Sequence, residues 1–558
     1  MKRILFFSAI LILLHLVIIN HYSINWDFHH VFFAGLYHHR QPVTPEMENH
    51  LPFTEPDPRR MVKTPFGPLQ SYVPVSSYLW LYEKWKLLPF DSAYNLPTVV
   101  VGVIGIFILY AFLAQAVGRT PAIVGFVFLA LYPRYWGDLH TNVKDVPTAV
   151  AFATSIWLYW RLLNRRRLVD LILASVAFAV TFNLKVNAVA IPPIVLLWTL
   201  VVLTTKLKTM LQHPLHRIRV KTLLPVIIYF FLSPLLAFLL WAHFWDDPAG
   251  HLVYLVNFFK DNTQNIEVLY FGKWFCSAVN VPWHYPYGYL AVVTPLPILL
   301  FFLIGLMRLM SQIRKNQVGL LFLLWFFVPL ARYLSPKIGV IDGIRHFEEV
   351  VFPMIAIAAI GAFTLLGKLT RWTQKRNVND ATTATSNTFL FRFRLATIIS
   401  LAVLTWLVIP IIRYHPYQLS YFNELVGGLP GAMGKFDIDY WGISQKEAVT
   451  WLNTHAPKDS KIYIVMAPDV AGKYLRDDLL ATLNTTGYDE ADYVVVLNRQ
   501  SFFYRYLYSW EYFLRRKPVF TVSRLGVPMT WVYGNSLGKF PRQQQWWNGE
   551  DPCIIKYW

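Results

Sequence analysis

Charge is scarce in this sequence: of 558 residues only 15% are Asp, Glu, Lys or Arg, against roughly 25% in an ordinary soluble domain. With 55% hydrophobic residues, that shortage makes lipid the natural solvent and excludes a water-soluble enzyme of average composition. Cysteine is scarcer still. Cys276 and Cys553 are the only two, so neither a zinc finger nor a disulfide framework can be built from their spacing. If both lie outside the membrane a single bridge between them can form, although spacing alone does not show proximity. No internal repeat is visible, and no glycine-rich phosphate loop follows the last apolar run.

What the chain does have is aromatic and basic. Aromatic residues make up 17%, with 21 Trp, and Trp and Tyr settle where bilayer meets water. The formal net charge is +19, which in a soluble protein would raise nucleic-acid binding. Here the excess sits in short connections between apolar runs, such as Arg161, Arg165, Arg166 and Arg167, or Lys206, Lys208, Arg217, Arg219 and Lys221. Those are topology signals, and they argue against a nucleic-acid partner.

A helix needs about 20 apolar residues to cross the hydrocarbon core with its backbone satisfied internally. Eleven runs qualify, with cores at 4–20, 95–117, 119–133, 146–163, 168–183, 186–204, 223–242, 286–307, 317–333, 349–367 and 395–413. Lys and Arg in short loops remain cytoplasmic. Starting with Lys2-Arg3 inside, eleven crossings put Arg119, the 161–167 cluster, the 205–222 loop, Arg308 to Lys315 and the 368–394 loop on one side. The basic pair ahead of a 17-residue run also resembles a signal peptide. No small-x-small cleavage site follows, which favours an uncleaved first helix. The segment 376–391 reads as a polar flexible linker.

The long connections 21–94, 134–145, 243–285, 334–348 and everything after about 414 fall on the opposite, extracytoplasmic face. Beyond the eleventh run the composition becomes that of a soluble module. Ser444 followed by Glu447 predicts a capping box opening a helix through Leu452. Lys461 to Val465 and Tyr493 to Leu497 predict short buried strands, with a helix over Asp469 to Leu475 between them. The expected architecture is mainly α: a polytopic bundle of about eleven transmembrane helices over 1–413, with a small extracytoplasmic α/β domain over 414–558.

Ionisable residues at the membrane edge are costly and point to function. Asn25-Trp26-Asp27-Phe28-His29-His30 follows the first helix, and Asp27 there could take a proton from an acceptor hydroxyl or simply cap a helix. Lys63-Thr64-Pro65-Phe66-Gly67-Pro68-Leu69 is turn-rich with a cation at its head, suited to a phosphate as a point charge. His140-Thr141-Asn142-Val143-Lys144-Asp145-Val146-Pro147 enters the fourth helix, where Asp145 favours the helix N-terminus or a catalytic role. Val281-Pro282-Trp283-His284-Tyr285-Pro286 precedes the eighth helix. Asp342-Gly343-Ile344-Arg345-His346 precedes the tenth, and Arg345 there either forks onto a phosphate or snorkels.

These pieces, in this order, resemble the GT-C superfamily of integral-membrane glycosyltransferases, particularly the bacterial relatives of protein O-mannosyltransferases and aminoarabinose transferases. The resemblance covers nearly the whole chain. It rests on the many-helix topology, Asp27 in the first external loop, the Lys63 to Leu69 stretch, which is similar to a Lys-Pro-Pro-Leu region, and Lys144-Asp145. Pro282 to Pro286, Asp342 to His346 and Tyr417-Gln418-Leu419-Ser420-Tyr421-Phe422-Asn423-Glu424 add to it.

The resemblance implies a polyprenyl-phosphate sugar donor drawn from the membrane lipid and an acceptor protein, lipid or glycan at the outer face of a bacterial cytoplasmic membrane. Asp27 would be the general base, Asp145 a second acid orienting acceptor or metal, and Lys63 and Arg345 the cations on the donor phosphate, with Lys144, His284 and His346 in support. Two departures stand out. Phe28 occupies the place of the second acid in the usual Asp-Glu pair, and Thr64-Pro65-Phe66-Gly67-Pro68 replaces a simple Pro-Pro. A divalent metal ion is the one cofactor left open, with His29, His30, His38 and His39 as available imidazoles.

Two other classes compete. A secondary transporter or flippase should show repeats and polar groups at mid-membrane, whereas the polar clusters here favour loop ends. A non-catalytic scaffold presenting the carboxy-terminal module would tolerate replacement of Asp27.

Overall fold

The computed structural model describes residues 2–41, 67–212, 224–261, 265–376, 385–506, 512, 516–534 and 553. All eleven apolar runs are helical. The helices Ile4–His21, Phe90–Ala116, Val186–Thr205, Gln317–Leu334 and Arg345–Leu366 are long and apolar enough to cross a membrane. Shorter apolar helices cover Arg119–Ala130, Leu168–Leu184, Leu224–Leu239, Leu296–Ser311 and Thr397–Arg413, and Asp145–Arg165 completes the set. Large apolar side chains such as Phe6, Leu168, Phe231, Met307 and Ile412 face outward. That pattern suits lipid and would be a liability in water.

The structure breaks the expected eighth run at Thr294-Pro295, giving Tyr285–Val293 and Leu296–Ser311. Pro295 has no backbone N–H and holds the residue before it extended, and Thr294 is extended. Four elements lie in the expected external connections: the helices Phe28–His38, Leu69–Tyr78 and Pro248–Asp261, and a hairpin of β1 (Glu267–Tyr270) and β2 (Lys273–Cys276).

Within the bundle, Leu296–Ser311 packs along Val351–Arg376. A Cβ added at Gly305 would lie 2.0 Å from the Ile357 carbonyl oxygen, and one at Gly361 would lie 1.9 Å from that of Phe301. The two backbones touch there because neither glycine has a side chain, the close approach that small residues permit between membrane helices.

The carboxy-terminal module has a four-stranded sheet in the order β3-β4-β6-β5, with β3 (Ile462–Ile464), β4 (Tyr493–Leu497), β5 (Phe520–Arg524) and β6 (Val527–Gly534). β3 and β4 run parallel, and the remaining pairs antiparallel. The helix expected after Ser444 forms over Gln445–His455, and the one expected after Asp469 forms over Pro468–Gly472. The capping box does not. Ser444 Oγ donates to Asp439 and meets Thr530, while Glu447 accepts from the Tyr417 hydroxyl. Both side chains fasten tertiary neighbours in place of the helix end.

Buried polar contacts join this module to the bundle. Lys446 pairs with Asp91 at 2.6 Å, Arg499 with Asp342 at 2.7 Å and His29 with Asp469 at 2.5 Å. Cys276 and Cys553 form a disulfide with 5.1 Å between their Cα atoms. Trp26 packs against three hydrophobic clusters, two of them in the module. The residue next to Asp27 is thus held by distant parts of the chain.

Candidate active site

The site begins with a backbone turn. Asn25 accepts the amide of Asp27 at 2.9 Å and donates its own side-chain amide to the Thr141 carbonyl at 2.5 Å, and the Trp26 amide donates to the Trp441 carbonyl at 3.1 Å. Asp27 then stands at the head of the helix Phe28–His38, but its carboxylate makes no capping bond. It accepts Lys144 Nζ at 2.6 Å and Arg345 Nη1 at 2.8 Å, both on Oδ2. Arg345 lies over the Trp441 ring and gives its other terminal nitrogen to Asp342 at 2.8 Å.

Burial by itself would raise the Asp27 carboxyl. Lys144 and then Arg345 outweigh it and hold the group well below the usual carboxylate range. The cause is opposite charge at contact distance in a partly dry setting.

Asp145 follows Lys144 in sequence and takes a different partner, Lys185 Nζ at 2.5 Å. Asn142 receives the Asp145 amide at 2.9 Å and bridges Asp138 and Glu348. Asn187 binds the Glu349 carboxylate and the His346 carbonyl, which also accepts from Arg332 and Tyr333. Helix ends therefore carry Lys144, Asp145 and Lys185.

Asp27, Lys144, Lys185, Arg332, Asp342, Arg345, His346 and Arg499 line one cavity of about 1990 Å³. Phe182, Val189, Leu240, Trp241 and Leu252 add apolar surface to the lining, together with His243, Asp246, Asp247 and His251, and Arg505 adds a sixth cation. A cavity lined by both apolar side chains and cations suits a molecule with a greasy tail and an anionic head. The arrangement can also move a proton, because a carboxylate faces the same space.

Of the residues expected from sequence, Asp27, Lys144, Arg345 and His346 come together on this cavity. Asp145 borders it only through Lys185. His284 lies elsewhere, exposed at the start of the helix Tyr285–Val293 and paired with the Tyr270 hydroxyl at 3.0 Å. Lys63 lies outside the described residues. The end of its stretch abuts the site: Pro68 lines the cavity, and a Cβ added at Gly67 would lie 1.9 Å from the Asn183 carbonyl oxygen.

Of the imidazoles considered for a metal, His30 and His38 line the cavity, His29 pairs with Asp469 and His39 stacks on Tyr72. Among the described residues no group of three or more His, Cys, Asp or Glu is arranged to hold a metal ion. Lys185, Arg332 and Arg499 were not legible as site residues. Lys185 and Arg332 do share a local sign, a cation placed directly after an apolar helix.

Residues 90–241 match the family model described as dolichyl-phosphate-mannose-protein mannosyltransferase. No curated protein matches the sequence significantly. Among solved structures the chain is similar to ArnT from Cupriavidus metallidurans in the apo state, at 14% identity and a TM-score of 0.47, over 97% of this chain and 99% of that one. It is also similar to the Archaeoglobus fulgidus oligosaccharyltransferase in the apo form, at 12% identity and a TM-score of 0.49, over 88% of this chain and 65% of that one. A structure of the same ArnT bound to undecaprenyl phosphate matches at 14% identity and a TM-score of 0.44, over 97% of this chain and 99% of that one. The matched family segment carries Lys144, Asp145 and Lys185 of the site, so this part of the chain is similar to the mannosyltransferase family that the model describes.

Proposed function

We propose that the protein transfers a sugar from a polyprenyl-phosphate-linked donor to an acceptor protein, lipid or glycan at the extracytoplasmic face of a bacterial cytoplasmic membrane. The observation that carries this reading is Asp27 held by Lys144 and Arg345 on a cavity lined by both cations and apolar side chains. The tail of the donor lies against the apolar wall, where burial contributes about 0.8 kcal/mol per methylene. Its phosphate meets the cations.

In the reaction the acceptor hydroxyl oxygen bonds to the anomeric carbon while the bond from that carbon to the phosphate oxygen breaks, with inversion. The hydroxyl proton passes to Asp27, and the bond electrons leave on the phosphate, which Arg345, Lys185 and Arg332 stabilise by fixed charge. Asp27 Oδ1 is the oxygen for the proton, since both cations sit on Oδ2. A base gripped by two cations is a weak one. An arriving phosphate competes for Lys144 and Arg345 and thereby restores the basicity of Asp27, so base strength follows donor occupancy. Lys63 belongs to the same phosphate group of cations in this reading.

Residues 1–413 form the catalytic membrane domain and 414–558 the extracytoplasmic domain. The Cys276–Cys553 bridge supports that side, because such bonds persist in oxidising compartments. Trapping thiols in intact cells checks the side. Non-reducing electrophoresis should show a mobility shift that Cys276→Ser abolishes, and free thiols in the wild type would overturn the orientation.

The decisive experiment compares lipid-linked sugars and surface glycans by mass spectrometry in cells with and without the protein. Loss should cause one polyprenyl-phosphate sugar to accumulate and one glycan to disappear. Arg345→Ala should reproduce the accumulation with normal membrane insertion. Unchanged lipid-linked sugars in both strains would refute the reading.

A further inference from the structure

The cavity wall includes a cation from the carboxy-terminal module whose contacts run to the centre of the site. Arg499 lies two residues after β4, and its side chain is 5% exposed. Its guanidinium lies over the Phe502 ring with the carbon 3.6 Å from the centroid, and Trp26 is 5.2 Å away. One terminal nitrogen donates to the Tyr440 carbonyl at 2.7 Å and the other to Asp342 Oδ1 at 2.7 Å. Asp342 gives its second oxygen to Arg345 at 2.8 Å, and Arg345 gives its second terminal nitrogen to Asp27 at 2.8 Å. Lys144 closes the row on Asp27 at 2.6 Å.

The result is a line of five groups of alternating charge, from the bundle to the module. Its middle member, Arg345, has two carboxylates competing for one fork. Where Arg345 rests depends on how strongly each carboxylate is satisfied from its far side. Asp27 is satisfied by Lys144 and Asp342 by Arg499.

We propose that Arg499 is a positioning residue, which by occupying Asp342 sets how Arg345 divides itself between Asp342 and the Asp27 end of the site. The inference rests on the reading of Arg345 as a phosphate cation and Asp27 as the base, and it adds a part for the carboxy-terminal module. Loosening Arg499 leaves Asp342 to draw Arg345 toward itself, away from Asp27 and from the place of the phosphate. Neutralising Asp342 removes that pull whatever Arg499 does.

Other charged groups face the row. His30 and Lys144 act on Asp27, which in turn faces Tyr94. Asp145, Asp138 and Tyr440 face Arg345. Asp437, Tyr285 and Tyr289 face Asp342. None of these changes in the variants below, so the comparison isolates the row.

The test uses the full chain in lipid nanodiscs with Arg499→Lys, Asp342→Asn and the double variant. Arg499→Lys keeps the charge and loses the fork. It should weaken binding of a short-chain polyprenyl phosphate about tenfold, the scale of coupling between contacting charged groups, and move the acid limb of kcat/KM to higher pH because Asp27 has lost part of a cation. Arg499→Gln should do the same more strongly. Adding Asp342→Asn should recover most of the loss and return the limb toward that of the wild type.

A scaffold role for Arg499 predicts an unmoved pH limb and a double variant worse than either single. Either outcome overturns the proposal, as does wild-type phosphate binding in both Arg499 variants. Failure of the base assignment is read separately. Should Asp27→Asn retain turnover, that assignment falls, while phosphate binding across the same variants still reports whether Arg499 places Arg345.

Discussion

Lys144 and Asp145 are neighbours at the head of one helix, yet they serve two different ion pairs. Lys144 reaches the Asp27 carboxylate, 24% exposed and open to the cavity, whereas Asp145 takes Lys185 with only 2% of its side chain exposed and does not line the cavity. Both acids stand at the head of a helix, and both are satisfied by lysine. The difference is access. In the proposed reaction the carboxylate open to the cavity takes the proton, while the one enclosed by its own lysine holds that lysine in place.

The comparison breaks first at Asp27. Asp27→Asn should lower turnover by about 10²- to 10⁴-fold, the range of a lost general base, with the protein still inserted. Wild-type turnover measured on extracted lipid-linked donor would remove the base.

A smaller effect is expected at the sealed pair. Asp145→Asn leaves Lys185 without its partner and should lower stability by about 2 kcal/mol, below the 3–5 of a fully buried pair because Lys185 opens onto the cavity. Turnover should fall less than in Asp27→Asn. Lys185→Met on top of Asp145→Asn should restore thermal stability in detergent, and a further loss would show that the two residues do not act as a pair.

The smallest effect is on the acid side of the stability curve. Asp27 has a depressed folded pKa, so its contribution is complete above the unfolded value of about 3.9 and is lost as pH falls through that value toward the folded one. The wild-type melting temperature should therefore drop more steeply below about pH 4 than that of Asp27→Asn. Parallel curves would mean that Lys144 and Arg345 do not stabilise the ionised carboxylate.

Much of the frame was legible because its signals are local. An apolar run long enough to span a bilayer has few alternatives to a helix, and the helices fall where hydropathy puts them. Asp27, Lys144 and Arg345 could be picked out for a related reason, since charge beside a membrane needs a partner. The break at Thr294-Pro295 was readable in hindsight from the proline. The capping box at Ser444 failed because Asp439 and Thr530, which lie away from the helix end, took the hydroxyl. His284 looked like part of the site because it stands in a family-like stretch, but it is exposed, bonded to Tyr270 and not part of the cavity lining.

By itself the sequence determined the membrane-spanning character, the order of the helices and the kind of residue available at the helix ends. Hydrophobic length and charge placement act over a few residues and need no knowledge of what is far away. Tertiary structure alone decided which charges meet. Asp27 and Arg345 are separated by 318 residues, and Asp342 and Arg499 by 157. The choice of Lys144 for Asp27 and Lys185 for Asp145 depends on which helix ends and which strand converge on one cavity. Ion pairing falls off within a few ångströms once solvent intervenes, so the pairing is fixed by packing and has no counterpart in spacing along the chain.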